Sequence, residues 1–184
     1  ESFIWYQPKD IVSGDFYWFA KNNERIWIAG VDCTGHGVPG AFMSMLGNTL
    51  LNQIVNTENI TEPADILDHL HLEVRAALKQ EFGLSGTKDG MDVALCCINR
   101  EVPSLEFAGA FRPVLYISGG KMEELKGNRF SIGGLQTEDE RHFSLHLRKL
   151  DKGDVIYLFS DGITDQFGGP QGKKFLSKAS VSFD

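Results

Sequence analysis

The chain has 184 residues, which is long enough for one domain with a sizeable hydrophobic core. Hydrophobic residues make up 42% of the sequence and charged residues 23%, a composition that excludes a disordered chain. The net charge of -7 argues against nucleic acid or an anionic membrane as the main partner, because both require a basic surface.

The cysteine content and the absence of long apolar segments indicate the cellular compartment of the protein. Cys33, Cys96 and Cys97 do not form the even, spaced set of a disulfide framework, so they favour a reducing, cytoplasmic setting. The sequence has no apolar run of membrane-spanning length and no signal peptide, and we expect no direct membrane contact by this domain. It starts without Met and is strand-like from Phe3–Tyr6. We therefore expect a single domain, residues 1–184, from a larger protein that could itself be membrane-attached.

The N-terminal part of the sequence predicts a β-hairpin followed by two helices. An aromatic-rich strand at Phe16–Phe19 turns at Lys21–Glu24 into a second strand at Ile26–Val31. The stretch Pro39–Val55 has proline in its first turn and is apolar nearly all round, which predicts a helix buried on more than one side. A second helix, Thr61–Glu81, carries one apolar stripe at helical spacing.

After a glycine-rich loop at 83–90, the sequence predicts strands. Apolar or alternating runs occur at Val93–Ile98, Leu105–Ala108, Val114–Ile117, Phe143–Leu147 and Val155–Phe159. Ser118–Lys121 predicts a hairpin turn, and Val155–Phe159 predicts a buried strand that runs into Asp161. Strands, then two helices, then more strands indicate an α+β fold with mainly antiparallel sheets and helices packed outside.

Three aspartates each lie next to or near a glycine at the edge of a strand-like run. They are Asp15 in Ser13-Gly14-Asp15, Asp32 in Asp32-Cys33-Thr34-Gly35-His36-Gly37, and Asp161 in Ser160-Asp161-Gly162. A carboxylate beside a hydrophobic core is costly without a partner, and no basic residue lies within three positions of any of them. We therefore expect a bound cation, and converging carboxylates suit Mg²⁺ or Mn²⁺. A metal-assisted hydrolase is the first hypothesis.

Other candidate residues keep two interpretations each. For any one aspartate, Asp-Gly also suits an ordinary turn. His36 is either a catalytic acid, a residue that supports the site through a hydrogen bond, or a polar residue of a tight loop. Asp92 either lines the site or merely begins a strand, and Asp165 either supports a metal shell or caps a turn. Cys33 lies beside Asp32, but no His-plus-acid set supports it as a nucleophile.

Four motifs follow one another along almost the whole chain. They are Val12-Ser13-Gly14-Asp15-Phe16-Tyr17, Val31-Asp32-Cys33-Thr34-Gly35-His36-Gly37-Val38-Pro39-Gly40-Ala41, Ser131-Ile132-Gly133-Gly134, and Leu158-Phe159-Ser160-Asp161-Gly162-Ile163-Thr164-Asp165. In this order they resemble bacterial metal-dependent protein serine/threonine phosphatases of the PPM type, in the branch typified by stage II sporulation protein E. The resemblance implies a four-layer αββα sandwich, in which two antiparallel sheets are flanked by helix pairs.

The same resemblance implies a site and a reaction. Two Mn²⁺ or Mg²⁺ ions would be held by Asp15, Asp32, Asp161 and the backbone carbonyl of Cys33, and the three aspartates would be the catalytic residues. The substrate would be phosphoserine or phosphothreonine on a partner protein, often an anti-sigma factor antagonist in this branch. An upstream sensor domain in the same polypeptide is implied, and a homodimer stays open.

Two departures from the family pattern keep an alternative open. The family domain ends with a further motif, usually a paired Asp-Asp, which does not align with Val181–Asp184. Ala108–Pro113 stands where many relatives carry Ala-Gly-His or a polar residue. The alternative is a catalytically silent module that binds a signalling partner through the same surface.

Overall fold

Two long antiparallel strands open the computed structural model, which describes residues 1–8, 11–80, 88–136, 138, 140–164, 167–168 and 173–174. Strand β1 spans Phe16–Asn22 and β2 spans Arg25–Cys33. Asn23 closes the hairpin between them with a φ of 49°, a left-handed conformation that asparagine tolerates better than most residues. The hairpin predicted from the sequence is confirmed.

The remaining elements follow in the predicted order. The helices are α1 (Gly37–Asn52), which continues into a π-helical turn (Gln53–Thr57), α2 (Pro63–Ala77) and the single turn α3 (Asp161–Thr164). The strands are β3 (Gly90–Asn99), β4 (Ser104–Ala110), β5 (Val114–Ser118), β6 (Lys121–Leu125), β7 (Ile132–Gly133), β8 (His146–Lys149), β9 (Val155–Tyr157), β10 (Phe167–Gly168) and β11 (Lys173–Lys174).

These strands form two main sheets. The larger has the order β1-β2-β3-β4-β8, with β7 paired to β3, and the smaller has the order β6-β5-β9. All pairings within them are antiparallel. β10 and β11 pair with each other.

Strand β3 lies between two hydrophobic cores, because successive residues of a strand point to opposite faces. Val93, Leu95 and Cys97 belong to the core under the helices. Ala94 and Cys96 belong to the core between the two sheets. The described residues thus form a helix layer, a large sheet and a small sheet, and the predicted α+β class with two antiparallel sheets is confirmed. A helix layer on the outer face of the small sheet is not among the described residues.

The two long helices differ in how they bury their apolar residues. In α2 one stripe, which includes Ile66, Leu70 and Val74, is fully buried against the large sheet. In α1 the apolar residues extend round the helix, but Phe42 and Met45 are 68% and 67% exposed. The prediction that this helix is buried on more than one side is wrong for the face that carries these two residues.

Two strand predictions also need correction. The segment predicted as Phe143–Leu147 pairs only from His146, because Phe143 turns into the helix-side core against Phe130, with ring centroids 5.0 Å apart. β9 is not buried, since Val155 and Tyr157 are 41% and 42% exposed. Across the described part of the chain, no helix is long and apolar enough to cross a membrane.

Candidate active site

The sheet register brings the predicted aspartates to one end of the large sheet. Asp32, the penultimate residue of β2, lies directly opposite Asp92 on β3. Asp15 precedes β1 at the same end, because Phe16 pairs with Val31. Asp161 begins α3, which follows the small sheet. The carboxylates of Asp15, Asp32, Asp92 and Asp161 therefore lie in one region where the two sheets end, and Asp15 and Asp161 are near enough to Asp32 to raise its pKa.

Glycines allow the loops that carry these carboxylates to touch. A Cβ built on Gly14 would lie 2.8 Å from the carbonyl oxygen of Gly35 and 3.2 Å from that of Cys33. A side chain at position 14 would thus force the Asp15 loop away from the loop after Asp32. The contact also brings the Cys33 carbonyl, implied by the resemblance as a ligand, next to the Asp15 loop.

Thr34 fixes the loop after Asp32 to the start of β3. Its backbone N–H donates to the carbonyl oxygen of Gly90 at 3.0 Å, and the Gly90 N–H donates to Thr34 Oγ1 at 2.9 Å. On the other side, the Asp15 N–H donates to Ser13 Oγ at 3.0 Å. Hydrogen bonds from backbone N–H groups to carbonyl and hydroxyl oxygens thus hold both loops in place beside the carboxylates.

Arg112 is the cationic partner of this cluster in the structure. Its Nη2 atom contacts Asp32 Oδ2 directly and lies 3.1 Å from Asp161 Oδ2 and 3.9 Å from Asp92 Oδ2. Sequence reasoning missed this residue, because it lies 80 positions from Asp32. The sequence analysis expected a bound cation as the partner of the carboxylates, and the structure adds a guanidinium of the chain itself.

One guanidinium does not balance the acidic cluster. Burial raises the pKa of the Asp32 carboxyl to about 7; Arg112 opposes this shift, whereas Asp15 and Asp161 add to it. Burial also raises the pKa of Asp92, although the Ser131 hydroxyl donates a hydrogen bond to it. The cluster therefore has an excess of negative charge that a further cation would relieve.

The donor set suits a hard divalent cation, since it consists of carboxylate and carbonyl oxygens. However, among the residues that the structure describes, no three His, Cys, Asp or Glu side chains are grouped closely enough to hold a metal ion. Arg112 lies between the carboxylates of Asp32 and Asp161. A metal ion would thus require these side chains to rearrange.

A buried polar network holds the 131–136 segment that contacts Asp92. Arg141 donates to the carbonyl oxygens of Ser131 at 2.7 Å, Gly133 at 3.1 Å and Leu135 at 2.9 Å. From α2, His71 Nδ1 accepts the Gly133 N–H at 3.0 Å. The network connects α2 to the acidic cluster through Ser131, and no local sequence pattern indicated it.

The other predicted site residues have different positions. His36 is exposed and immediately precedes α1, and its side chain makes no capping hydrogen bond to that helix. Burial, followed by Asp32 and Asp15, raises the pKa of the buried Cys33 thiol to about 12, which argues against Cys33 as a nucleophile. Asp165 and Val181–Asp184 lie outside the described residues.

Comparisons with known proteins agree with this arrangement. The model of the stage II sporulation protein E family matches residues 22–181. The phosphoserine phosphatase RsbU of Bacillus subtilis (strain 168) is 29% identical over 163 residues, which cover 86% of this chain and 44% of RsbU. The chain thus spans less than half the length of this curated relative.

Two solved structures show the same fold. The SiaA-PP2C domain of Pseudomonas aeruginosa is 34% identical, with a TM-score of 0.82 over 96% of this chain and 67% of that chain. RsbX, solved in complex with magnesium, is 14% identical, with a TM-score of 0.62 over 84% of this chain and 69% of that chain. At that identity, RsbX supports the fold alone.

Proposed function

Because this chain belongs to the stage II sporulation protein E family of PPM-type phosphatases, we propose that it hydrolyses phosphoserine or phosphothreonine on a partner protein with the help of divalent metal. The observation that carries the proposal is that the carboxylates of Asp15, Asp32, Asp92 and Asp161 lie in one region at the end of the two sheets, where Arg112 pairs with three of them. The name of RsbU, phosphoserine phosphatase, supports the reaction class.

Asp15, Asp32 and Asp161, with the carbonyl oxygen of Cys33, are the proposed metal-holding residues, and Asp92 adds negative charge beside them. Two Mn²⁺ or Mg²⁺ ions are proposed; RsbX, which has the same fold, was solved in complex with magnesium. Such ions supply Lewis acidity and a bound water of lowered pKa. The chain orients these oxygens through the contacts between Gly14 and Gly35 and through the Thr34–Gly90 hydrogen bonds.

The cysteines support water, rather than a protein nucleophile, as the attacking group. Burial raises the pKa of Cys33 and of Cys97 to about 12, and Cys96 is fully enclosed in the core between the sheets. Thiols with such values hold almost no thiolate at neutral pH. The side chain of Cys33, the cysteine nearest the cluster, therefore serves packing in this proposal, and only its backbone carbonyl oxygen is assigned to the metal.

The proposed substrate is a phosphorylated signalling protein, with an anti-sigma factor antagonist as the first candidate. We place the domain in the cytoplasm, under the control of a sensor domain in the same polypeptide. The chain matches 44% of the length of RsbU, so more than half of that relative lies outside the matched domain.

One observation favours a second candidate, a catalytically silent module that binds a signalling partner. Arg112 contacts Asp32 and lies within salt-bridge distance of Asp161 and Asp92, and among the described residues no three acidic, His or Cys side chains form a ready metal site. In a silent module the ion pairs of Arg112 would be structural, and no metal ion would replace Arg112 beside the carboxylates.

Hydrolysis of p-nitrophenyl phosphate with and without Mn²⁺ separates the two candidates. The phosphatase proposal expects Mn²⁺-dependent turnover that EDTA abolishes and that Asp32→Asn removes. Asp151→Asn is a matched control, because Asp151 is exposed and pairs with Lys149 at 3.2 Å on the surface. If the wild-type protein with Mn²⁺ is no faster than Asp32→Asn, the silent module is the better description.

A further inference from the structure

The position of Arg112 suggests a role beyond that of a static ion pair. We propose that Arg112 is an internal counter-cation that competes with divalent metal for the carboxylate cluster, an inference that rests on the metal site proposed above. The guanidinium would occupy the cluster when metal is scarce and leave it when metal binds. Metal affinity would then be set partly by the free energy of removing Arg112.

The contacts of a single nitrogen atom support this competition. Nη2 of Arg112 contacts Asp32 Oδ2 and lies 3.1 Å from Asp161 Oδ2 and 3.9 Å from Asp92 Oδ2. The Arg112 and Asp32 side chains are only 16% and 17% exposed, so water screens this pair little, whereas Asp161 is 53% exposed and its interaction with Arg112 is screened more strongly. A divalent ion that binds the same oxygens would lie within a few ångströms of this nitrogen, and the two cations would repel each other.

The backbone before Arg112 aims this side chain at the cluster. Phe111 adopts a φ of 56°, a conformation that is rare for a bulky residue, and its N–H donates to the carbonyl oxygen of Asn128 at 2.8 Å. The Arg112 N–H folds back to the Ala110 carbonyl oxygen at 2.6 Å. Strained backbone of this kind persists only where the surroundings enforce it, often at functional sites.

The hydrogen bonding of Arg112 is incomplete, unlike that of a structural arginine. Its Nε is buried and has no hydrogen-bond partner among the described residues. Arg141, by contrast, uses Nε on Glu138 and its two terminal nitrogens on three carbonyl oxygens. A guanidinium with an unsatisfied buried donor is held less firmly, so it is easier to displace.

Removal of the charge tests the competition directly. We would measure Mn²⁺ affinity by the electron paramagnetic resonance of free Mn²⁺, without substrate, for the wild type, Arg112→Met, Arg112→Lys and Arg148→Met. Arg148 is the matched control, because it pairs with Glu123 on the surface. We expect Arg112→Met to bind Mn²⁺ at least about tenfold more tightly, since a unit charge is removed a few ångströms away. Arg112→Lys and Arg148→Met should stay close to the wild type.

A second measurement is made on the wild type and needs only one folded variant, which serves to assign the resonance. The Nε–H resonance of Arg112 in a ¹⁵N spectrum, identified by its loss in Arg112→Lys or Arg112→Met, should shift and exchange faster with solvent when Mg²⁺ is added. A shift together with tighter Mn²⁺ binding by Arg112→Met would support the competition. If Arg112→Met binds Mn²⁺ more tightly but the Arg112 resonance of the wild type does not change, the charge of Arg112 acts only through its electric field, and the proposal that metal displaces Arg112 is overturned.

The remaining outcomes separate this proposal from the proposed function. If the wild type and Arg112→Met bind Mn²⁺ equally and the resonance does not move, competition is overturned while a metal-dependent hydrolase still stands. If neither protein binds Mn²⁺, the metal site itself is absent and both proposals are overturned.

Discussion

Gly14 and Gly40 lie in backbone contact beneath the acidic cluster: a Cβ built on Gly40 would lie 3.1 Å from the Cα of Gly14 and 2.7 Å from the carbonyl oxygen of Gly35. Gly14 precedes Asp15, and Gly35 lies in the loop that follows Asp32. The first turns of α1 therefore hold the two aspartate-bearing loops at a fixed separation.

Gly40→Ala tests this contact against helix propensity. Alanine in a helix is favoured over glycine by about 1 kcal/mol, but the overpacking predicts a net loss of about 1–3 kcal/mol in the free energy of unfolding. Urea denaturation measures the change, and Mn²⁺ affinity should fall with it. Gly30→Ala is the control, because its Cβ would meet Leu158 Cβ at an ordinary 3.6 Å. Greater stability in Gly40→Ala than in the wild type would contradict the contact.

Asp32→Asn should separate activity from stability. Burial raises the pKa of Asp32 from 3.8 to about 7 in the folded protein, so its ionisation lowers stability as pH rises between these values, and the full cost is present above pH 7. At pH 8 with EDTA, the variant should be at least as stable as the wild type in urea. Its Mn²⁺-dependent hydrolysis should fall at least about 10²-fold, since a metal-holding oxygen is lost. Retained hydrolysis would remove Asp32 from the proposed ligand set.

His71 should make the protein less stable in mild acid. Burial lowers its pKa from the usual 6.5; the Gln136 hydrogen bond and Glu138 oppose the shift, whereas Arg141 and Arg75 reinforce it. As pH drops below about 6.5, the unfolded chain therefore binds a proton at His71 that the folded protein does not bind, and the stability of the folded protein falls.

Urea denaturation between pH 7.5 and 5.5 measures the effect of His71. His71→Gln should be less stable at pH 7.5, because the Gly133 N–H loses its acceptor, but should show a shallower dependence on pH. His69→Gln is the control, since it replaces an exposed histidine on the same helix. An unchanged slope in His71→Gln would contradict the assignment.

Arg141→Lys should destabilise the segment that contacts Asp92. A lysine ammonium cannot reproduce the planar fork that reaches the carbonyl oxygens of Ser131, Gly133 and Leu135. We expect a loss of about 2–4 kcal/mol in the free energy of unfolding, because buried carbonyls lose their donors. Arg148→Lys, a surface pair with Glu123, should change stability by less than about 0.5 kcal/mol. Equal effects of the two variants would show that the network contributes little.

Cys33 should be chemically silent in the folded protein. Its thiol is buried and its pKa is raised to about 12 by burial and then by Asp32, so iodoacetamide at pH 8 should alkylate it only in urea. Cys33→Ala should keep Mn²⁺-dependent hydrolysis, because only the backbone carbonyl of this residue is proposed to act. Mass spectrometry locates the label, and rapid native alkylation with loss of activity would reopen the case for a nucleophile.

The sequence predicted the acidic cluster because strand ends can be recognised locally. Asp15 and Asp32 each adjoin an apolar run, and antiparallel pairing then brings the two residues to one end of the sheet. Arg112 could not be predicted in this way, since its contact with Asp32 depends on a left-handed Phe111 at a turn 80 positions away. The only signal was that Ala108–Pro113 departs from the family pattern.

Burial was harder to predict than the positions of the elements. Periodicity shows which residues share a face, but not whether another element covers that face. The stripe of α2 is covered by the large sheet, whereas Phe42 and Met45 on α1 and Val155 on β9 remain substantially exposed. Whether each of these faces is covered depends on residues that are distant in the sequence.

The neighbouring residues Cys96 and Cys97 serve opposite hydrophobic cores through one strand. A slip of β3 by a single residue would exchange the side chains of both layers at once, so small residues such as Ala94 would replace large ones such as Leu95 under the helices. The same slip would carry Asp92 out of line with Asp32. A shifted register of this strand would thus lose packing in both hydrophobic cores. The same loss disfavours any register in which the two carboxylates are not aligned.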